Sequence, residues 1–403
     1  MRRILFVDDE LNVLDGLRRV LRPYRAEWDM EFVGGSRDAL ALLATKAFDV
    51  IVTDMRMPGM DGAELLKKVR ELHPDAVRIM LSGQSDQEAI QRSIGRTHQY
   101  LSKPCDPESL HAVIRRSCDL RDRLGNESLK RLVSQTVTLP SLPKIYTRVI
   151  DELCKPDPCM KTVTDLISRD VGMSARLLHL ANSSFFGVRQ RVESPAYAAS
   201  LLGLNILRPL ILSVGIFCQF DARAIRSFSI NAFSDHSLAV SNAARLIAMQ
   251  AGADKEVIDD AQMAGMVHDV GQLLLASQVS AEYDQVLHRI HEEGRSACEI
   301  ERELLGSDHA DVGAHLLGLW GLPEPIVEAV ALHHEPNKCF IDRFTPLTAV
   351  HVANAVVSRT SFAGPLAVGI DVDFDYLKRI GLADSFPQWQ DRVLEAHSER
   401  VEA

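Results

Sequence analysis

None of the seven cysteines stands in a C-x-x-C pair. That absence excludes a zinc knuckle and a disulfide framework, and it points to a reducing, cytoplasmic compartment. No block of lysines or arginines offsets the formal net charge of −10. Phosphate-backbone binding is therefore disfavoured as the main activity, and no direct DNA binding is expected. Arg22, Arg25, Arg115, Arg116, Arg121 and Arg123 alternate with acids and read as solvated helix faces. No uninterrupted apolar span is present either. Leu201 to Phe220 comes nearest, but Asn205, Arg208 and Pro209 near its middle mark a buried, kinked helix rather than a membrane crossing. The chain enters a strand at once, so no signal peptide is expected. At 403 residues it is long enough for two or three domains.

Chemistry first appears between Phe48 and Gly62, FDVIVTDMRMPGMDG. Val50, Ile51 and Val52 read as a strand buried on both faces of a parallel sheet. The strand ends in Asp54, where open α/β sheets bind ligands. By itself Asp54 reads equally as a turn or cap residue. Ile4 to Val7 is a second such strand, running into Asp8-Asp9-Glu10. Carboxylates converging on one sheet edge repel unless a cation sits among them, and hard oxygen donors suit Mg²⁺. Val77 to Leu81 leads to Ser82, and Tyr100-Leu101-Ser102 leads to Lys103-Pro104. Acids, a hydroxyl and a lysine at several strand ends make a site for a transferring phosphoryl group.

Between these strands lie helical patterns at Leu11 to Leu21, Ala39 to Ala47, Ala63 to Leu72 and Gln87 to Ile94, with a fifth from Pro107 onward; Trp28 to Val33 is a further strand. This is the rhythm of a doubly wound sheet with five parallel strands. The fifth helix keeps an apolar stripe through Leu110, Val113, Ile114, Leu120 and Leu124. The stripe reads as packing on its own domain, with a dimer seam as the alternative.

Met1 to about Leu120 resembles a response-regulator receiver domain, of flavodoxin-like fold. The resemblance rests on Asp8-Asp9, Asp54, Ser82 and Lys103-Pro104 in order, with the loop DMRMPGMDG between. It implies that Asp54 is the phosphoacceptor, charged by a sensor histidine kinase. It implies Mg²⁺ on Asp9, Asp54 and the backbone carbonyl of Arg56, with Asp8 helping through water. Ser82 and Lys103 would bind the phosphoryl group, Lys103-Pro104 would be a cis peptide, and Tyr100 matches the aromatic that rotates inward on phosphorylation.

After Leu139-Pro140-Ser141-Leu142-Pro143 strand alternation is missing and only helical periods remain. Val163 to Ser168, Ser174 to Ala181, Ser200 to Phe220, Ser237 to Met249 and Ile258 to Leu275 are expected helices, which makes the second half all-α. Domain bounds are read as 1–120 for the α/β part, 121–135 for a partly helical linker and 136–403 for the helical part with its C-terminal extension. Histidines are scattered through it: His236 ahead of a helix, His268-Asp269 inside one, His309, and His333-His334 near a helix end. Converging histidines around a His-Asp pair can build a metal site in a bundle, although each alone reads as a hydrogen-bonded core residue.

The segments LPSLPKIYTRVIDEL, LISRDVGMSARLLHLANSSFFG and YAASLLGLNILRPLILS resemble the HDOD branch of the HD superfamily, over residues 138 to about 335. The resemblance implies a helical signalling module without catalysis. The sister HD-GYP phosphodiesterases hydrolyse cyclic di-GMP with two or three metals, and here the pattern departs from them. Gln272 stands where a lysine is expected, Asn354 where an aspartate is, and Pro336-Asn337-Lys338 follows His333-His334-Glu335 in place of Gly-Tyr-Pro. Losing an anionic ligand and a cationic contact weakens metal and substrate binding together. A degenerate site of His236, His268, Asp269, His309, His333, His334 and Asn354 remains, with a residual divalent metal open. The expected function is a response regulator with a non-enzymatic output that binds a downstream signalling protein. The alternative is a regulated phosphodiesterase. A homodimer through the face of the fourth helix, fifth strand and fifth helix is a further expectation.

Overall fold

The computed structural model describes residues 1–403 except 83–96, 104, 137–139, 142, 156, 182–191, 193, 210–217, 220–228, 361–367 and 402–403. Five parallel strands form the N-terminal sheet: β1 (Arg2–Val7), β2 (Trp28–Val33), β3 (Val50–Asp54), β4 (Val77–Ser82) and β5 (Gln99–Ser102), in the order β2-β1-β3-β4-β5. Successive side chains leave opposite faces of a strand. Ile4, Phe6, Val50 and Val52 thus join one core cluster, while Leu5, Val7 and Ile51 join the other. Helices α1 (Leu11–Val20), α2 (Ser36–Leu43) and α3 (Gly62–Leu72) connect the first four strands. The expected helix at Gln87 to Ile94 lies outside the described residues, so α4 here is Pro107–Arg123. Asp106 caps it by accepting from the Ser109 N–H at 2.9 Å.

Helix α4 stops at Leu124, and α5 (Glu127–Gln135) begins behind an Asn126 cap. The stripe along α4 divides its work. Leu110 and Ile114 are fully buried, while Leu120 reaches Gly318 of the helical domain. The buried residues from Ile4 to Val393 form one continuous cluster running through Leu120, Leu124, Leu129 and Val133. The two halves therefore share a core.

The second half is helical, with corrections to three expectations. Cys218–Gln219 pairs in parallel with Pro140–Ser141 as a two-residue strand pair, β7 and β6. Of the expected Ser200 to Phe220 helix, the part up to Pro209 lies in the helix Pro195–Pro209, broken at Gly203, whose φ is 68°; 210–217 and Phe220 lie outside the described residues. Gly alone adopts that left-handed conformation without steric cost, so a break falls there. The expected Ile258 to Leu275 helix is two helices, because the backbone leaves helical geometry at Asp269 (φ −100°, ψ 13°).

The helices after the linker are α6 (Pro143–Cys154), α7 (Met160–Ile167), α8 (Val171–Ala181), α9 (Pro195–Pro209), α10 (Ile230–Gln250), α11 (Lys255–Val267), α12 (Val270–Gln278), α13 (Ser280–Glu293), α14 (Ala297–Leu305), α15 (His309–Leu319), α16 (Glu324–Leu332), α17 (Pro346–Val357), α18 (Phe374–Arg379) and α19 (Phe386–Val401). Helices α10, α11 and α17 pack on one another, and α15 packs on α12, α16 and α4. Among the described residues no helix is long and apolar enough to cross a membrane.

Candidate phosphoacceptor site and histidine cluster

Asp8 follows β1 and Asp54 ends β3, neighbouring strands of the sheet, so parallel pairing alone brings the two acids to one edge. Lys103 follows β5 and reaches across β4 to Asp54 and past β3 to Asp8. Its Nζ donates to Asp8 Oδ2 at 2.7 Å and also pairs with Asp54 Oδ1. Asp8 and Asp54 are buried at 1% and 7% exposure, whereas Asp9 is exposed. The backbone N–H of Arg56 donates to Asp54 Oδ2 at 2.8 Å. Burial pushes the Asp54 carboxyl up, with Lys103 opposing it. Burial also works against charge on Lys103, but its bonds to Asp54 and Asp8 prevail and its pKa is raised. The Ser82 side chain and Pro104, with the expected cis peptide, lie outside the described residues. Tyr100 is buried in β5.

The donors fit Mg²⁺. A buried carboxylate pair held by one ammonium is an anionic pocket that needs cationic partners, and its donors are all oxygen. Asp9, Asp54 and the Arg56 carbonyl would hold the ion, which when bound would neutralise phosphoryl oxygens beside Lys103.

All seven residues of the expected histidine site come together. His236 is inside α10 rather than ahead of a helix, and His268-Asp269 sits at the junction of α11 and α12 rather than within one helix. His309 opens α15, His333-His334 follows α16, and Asn354 lies in α17. Asp269 is the hub. Its Oδ1 is 3.2 Å from His309 Nε2 and 3.5 Å from His333 Nε2, and its Oδ2 is 3.3 Å from His268 Nε2 and 3.9 Å from His236 Nε2. His334 Nε2 lies 3.0 Å from His309 Nε2. Asn354 Oδ1 takes the place of a further anion, 3.1 Å from His236 Nε2.

The other ring nitrogens explain the convergence. His268 Nδ1 faces the Gly265 carbonyl at 2.9 Å, His333 Nδ1 the Val330 carbonyl at 2.8 Å, and His309 Nδ1 the Glu301 carboxylate at 2.6 Å. A ring that donates from Nδ1 presents a lone pair at Nε2. The Nε2 lone pairs of His268 and His333 thus point at one carboxylate with no proton between them. His268 Nε2, His333 Nε2 and Asp269 Oδ1 accordingly lack hydrogen bonds. Burial disfavours charge on His333 and His334, lowering the first to about 4 and the second well below its usual value. Burial opposes ionised Asp269 as well, but the surrounding His268, His309 and His333 hold its carboxyl well below the usual range. His309 goes the other way: Glu301 and Asp269 outweigh burial and raise it well above its usual value. A shared divalent ion on Asp269, His309, His333 and His334, or on His236, His268 and Asp269, fits this donor set.

Two features escaped the sequence reading. Glu301, fully buried, accepts from both the backbone N–H and Nδ1 of His309, at 2.8 and 2.6 Å, and Tyr283 O–H donates to it at 3.2 Å. The only signal was an acid eight residues before a histidine, on a different helix. The second is Gly271. A Cβ there would stand 1.9 Å from the His309 carbonyl oxygen, so the glycine of HD-x-G lets α12 touch the start of α15.

The family described as response regulator receiver domain matches residues 4–115, and the HDOD domain family matches 139–336. The hydrogenase transcriptional regulatory protein HoxA of Bradyrhizobium diazoefficiens is 39% identical over 146 residues, covering 36% of this chain and 29% of the relative. The transcriptional regulatory protein ZraR of Salmonella typhimurium is 29% identical over 207 residues, 50% of this chain and 44% of the relative. The chain thus spans under half the length of these curated relatives. Among solved structures, the MmoQ response regulator of Methylococcus capsulatus is 25% identical with a TM-score of 0.47, covering 64% of this chain and 98% of that one. The strand-end acids with their lysine and the helical bundle behind them place the chain in two families: it is a response-regulator receiver domain joined to an HDOD domain.

Proposed function

We propose that this cytoplasmic protein is a two-component response regulator that a sensor histidine kinase phosphorylates on Asp54. The HDOD domain is its signalling output and binds a downstream protein without catalysis. One observation carries the reading: Lys103 bridges the buried carboxylates of Asp8 and Asp54 at the carboxyl edge of the sheet. That arrangement supplies charge compensation for a phosphoryl group on Asp54 before any partner arrives. Ser82 and Tyr100 are the responders. Acetyl phosphate with Mg²⁺ tests it, by forming a hydroxylamine-labile phosphate on the wild type and none on Asp54→Asn. Labelling that persists on the variant, or without Mg²⁺, overturns the assignment. A pull-down comparing resting and beryllofluoride-activated protein identifies the downstream partner.

The non-catalytic output is supported by Gln272 and Asn354. Gln272 is buried beside the cluster with Oε1 unpartnered and brings no positive charge to a phosphate. Asn354 supplies an amide where an anionic ligand would bind a second metal more strongly. A second reading is favoured by the unpartnered donors around Asp269: a metal-dependent phosphodiesterase acting on cyclic di-GMP or another nucleotide. Metal analysis of the purified protein and cyclic di-GMP hydrolysis under Mn²⁺ or Fe²⁺ separate the two. Turnover that Asp269→Asn abolishes establishes the second.

A further inference from the structure

Gly125 and Asn126, in the turn between α4 and α5, lie against residues 305–307, where α14 ends and the chain turns toward α15. The Gly125 N–H donates to Ser307 Oγ at 2.9 Å, and Asn126 Nδ2 donates to the Leu305 carbonyl at 3.1 Å. The approach is close enough to need glycine: a Cβ at Gly125 would stand 2.5 Å from the Gly306 carbonyl oxygen. Ser307 Oγ donates to that same carbonyl at 2.7 Å, and Ser307 is 2% exposed. The linker is thus hydrogen-bonded to one short loop of the HDOD domain.

That loop separates two members of the histidine cluster. Glu301 lies on α14 before it and His309 opens α15 after it, and the Glu301 carboxylate accepts from the N–H and Nδ1 of His309 at 2.8 and 2.6 Å. Asp308, also in the loop, accepts from the Asp311 N–H at 2.8 Å and pairs with Arg302, which pairs in turn with Glu335, next to His334. A ligating histidine is aimed by the acceptor that its other ring nitrogen finds. Whatever fixes the loop therefore fixes the direction of His309 Nε2, which lies 3.2 Å from Asp269 Oδ1 and 3.0 Å from His334 Nε2.

We propose that the linker turn is an integral part of the histidine site: Gly125 and Asn126 hold residues 305–307, the loop holds His309 on Glu301, and a divalent ion binds tightly only while the linker is docked. The inference rests on the reading of the cluster as a metal site and gives the linker a share in it. Coupling of this kind is reciprocal, so a bound ion also tightens the linker on the loop. Asn126 and Ser307 are positioning residues and contact no ion.

Two variants of the full chain test it from opposite sides of the contact. Asn126→Ser keeps a capping oxygen for α5, which Asn126 now supplies to the Ser128 N–H at 2.8 Å, and removes the donor to Leu305. Ser307→Ala removes the acceptor of the Gly125 N–H. In competition with a chromophoric chelator, each variant should bind Zn²⁺ about tenfold more weakly than the wild type. Zn²⁺ should also slow amide exchange over 124–130 in the wild type. In ¹⁵N-histidine-labelled protein without metal, the His309 Nδ1–H resonance, shifted downfield by its Glu301 bond, should move or broaden in both variants. Wild-type Zn²⁺ affinity in Asn126→Ser overturns the proposal, and so does linker exchange that Zn²⁺ binding leaves unchanged. If Asn126→Ser does not fold, the Zn²⁺ affinity of Ser307→Ala decides in the same way. A wild type that binds no Zn²⁺ overturns the metal reading alone. The positioning role then stands on a His309 resonance that changes in the variants, and falls with one that does not.

Discussion

Gln99 and Gly318, 219 positions apart in the chain, are joined by a 2.7 Å hydrogen bond from the Gln99 amide to the Gly318 carbonyl. The bond ties the last receiver strand to the end of the helix whose first residue is His309. Phosphoacceptor edge and histidine cluster are therefore linked through one strand and one helix, without a longer relay. The same helix end meets α4 of the receiver, so β5 and α4 both touch the chain's own HDOD domain.

Gly318→Val should open this junction. A Cβ at Gly318 would come within 2.2 Å of Leu120 Cδ1, which must turn aside, and the larger valine asks for more. Overpacking of this kind costs about 1–3 kcal/mol. Amide exchange should rise across 118–135, with the receiver strands unchanged. Unaltered exchange there would show that the contact does not hold the domains together.

Lys103→Ala removes a cation that contacts both Asp8 and Asp54. Phosphorylation by acetyl phosphate should slow by about 10²-fold, the scale of losing one preorganised charge partner of a phosphoryl group. The rate is read by intact-protein mass spectrometry. A rate within a factor of about two of wild type would remove Lys103 from the phosphoryl site.

Chelator treatment should lower the melting temperature of the wild type and have no effect on Asp269→Ala. Asp269 is the acid shared by both candidate ligand sets, so its loss dismantles either. His268→Ala and Asp269→Ala should each cost about 1–3 kcal/mol, since each leaves buried polar neighbours unpartnered, while partner capture survives. A wild type that melts identically with and without chelator, and contains no ion by elemental analysis, would exclude a structural metal.

Asp311, in the first turn of α15, has its carboxyl raised to about 6 by burial and by the neighbouring Asp308. Arg123 of α4, 3.8 Å away, opposes the rise. A carboxyl whose pKa is higher in the folded state binds its proton better there. Its ionisation costs nothing below the unfolded value near 4 and reaches its full cost above about 6. Asp311→Asn should therefore match wild type near pH 4 and be more stable above pH 6, by on the order of 1 kcal/mol after solvent screening. Denaturant unfolding against pH reads this directly. A variant less stable at pH 7 would mean that the Arg123 pair outweighs burial.

The residue order alone determined the receiver site, because its chemistry sits at strand ends. A buried β-branched run must end somewhere, parallel strands end on one edge, and so Asp8, Asp54 and Lys103 could be placed together from their positions after such runs. The histidine set was legible by type and order. Its geometry was not, because helical periodicity says which face is buried but not which helices face each other. Continuous apolar spacing hid the break at Asp269 that turns its carboxylate into the hub of the cluster. Glu301 and Gly271 acquire meaning only when α14 and α12 are brought against His309.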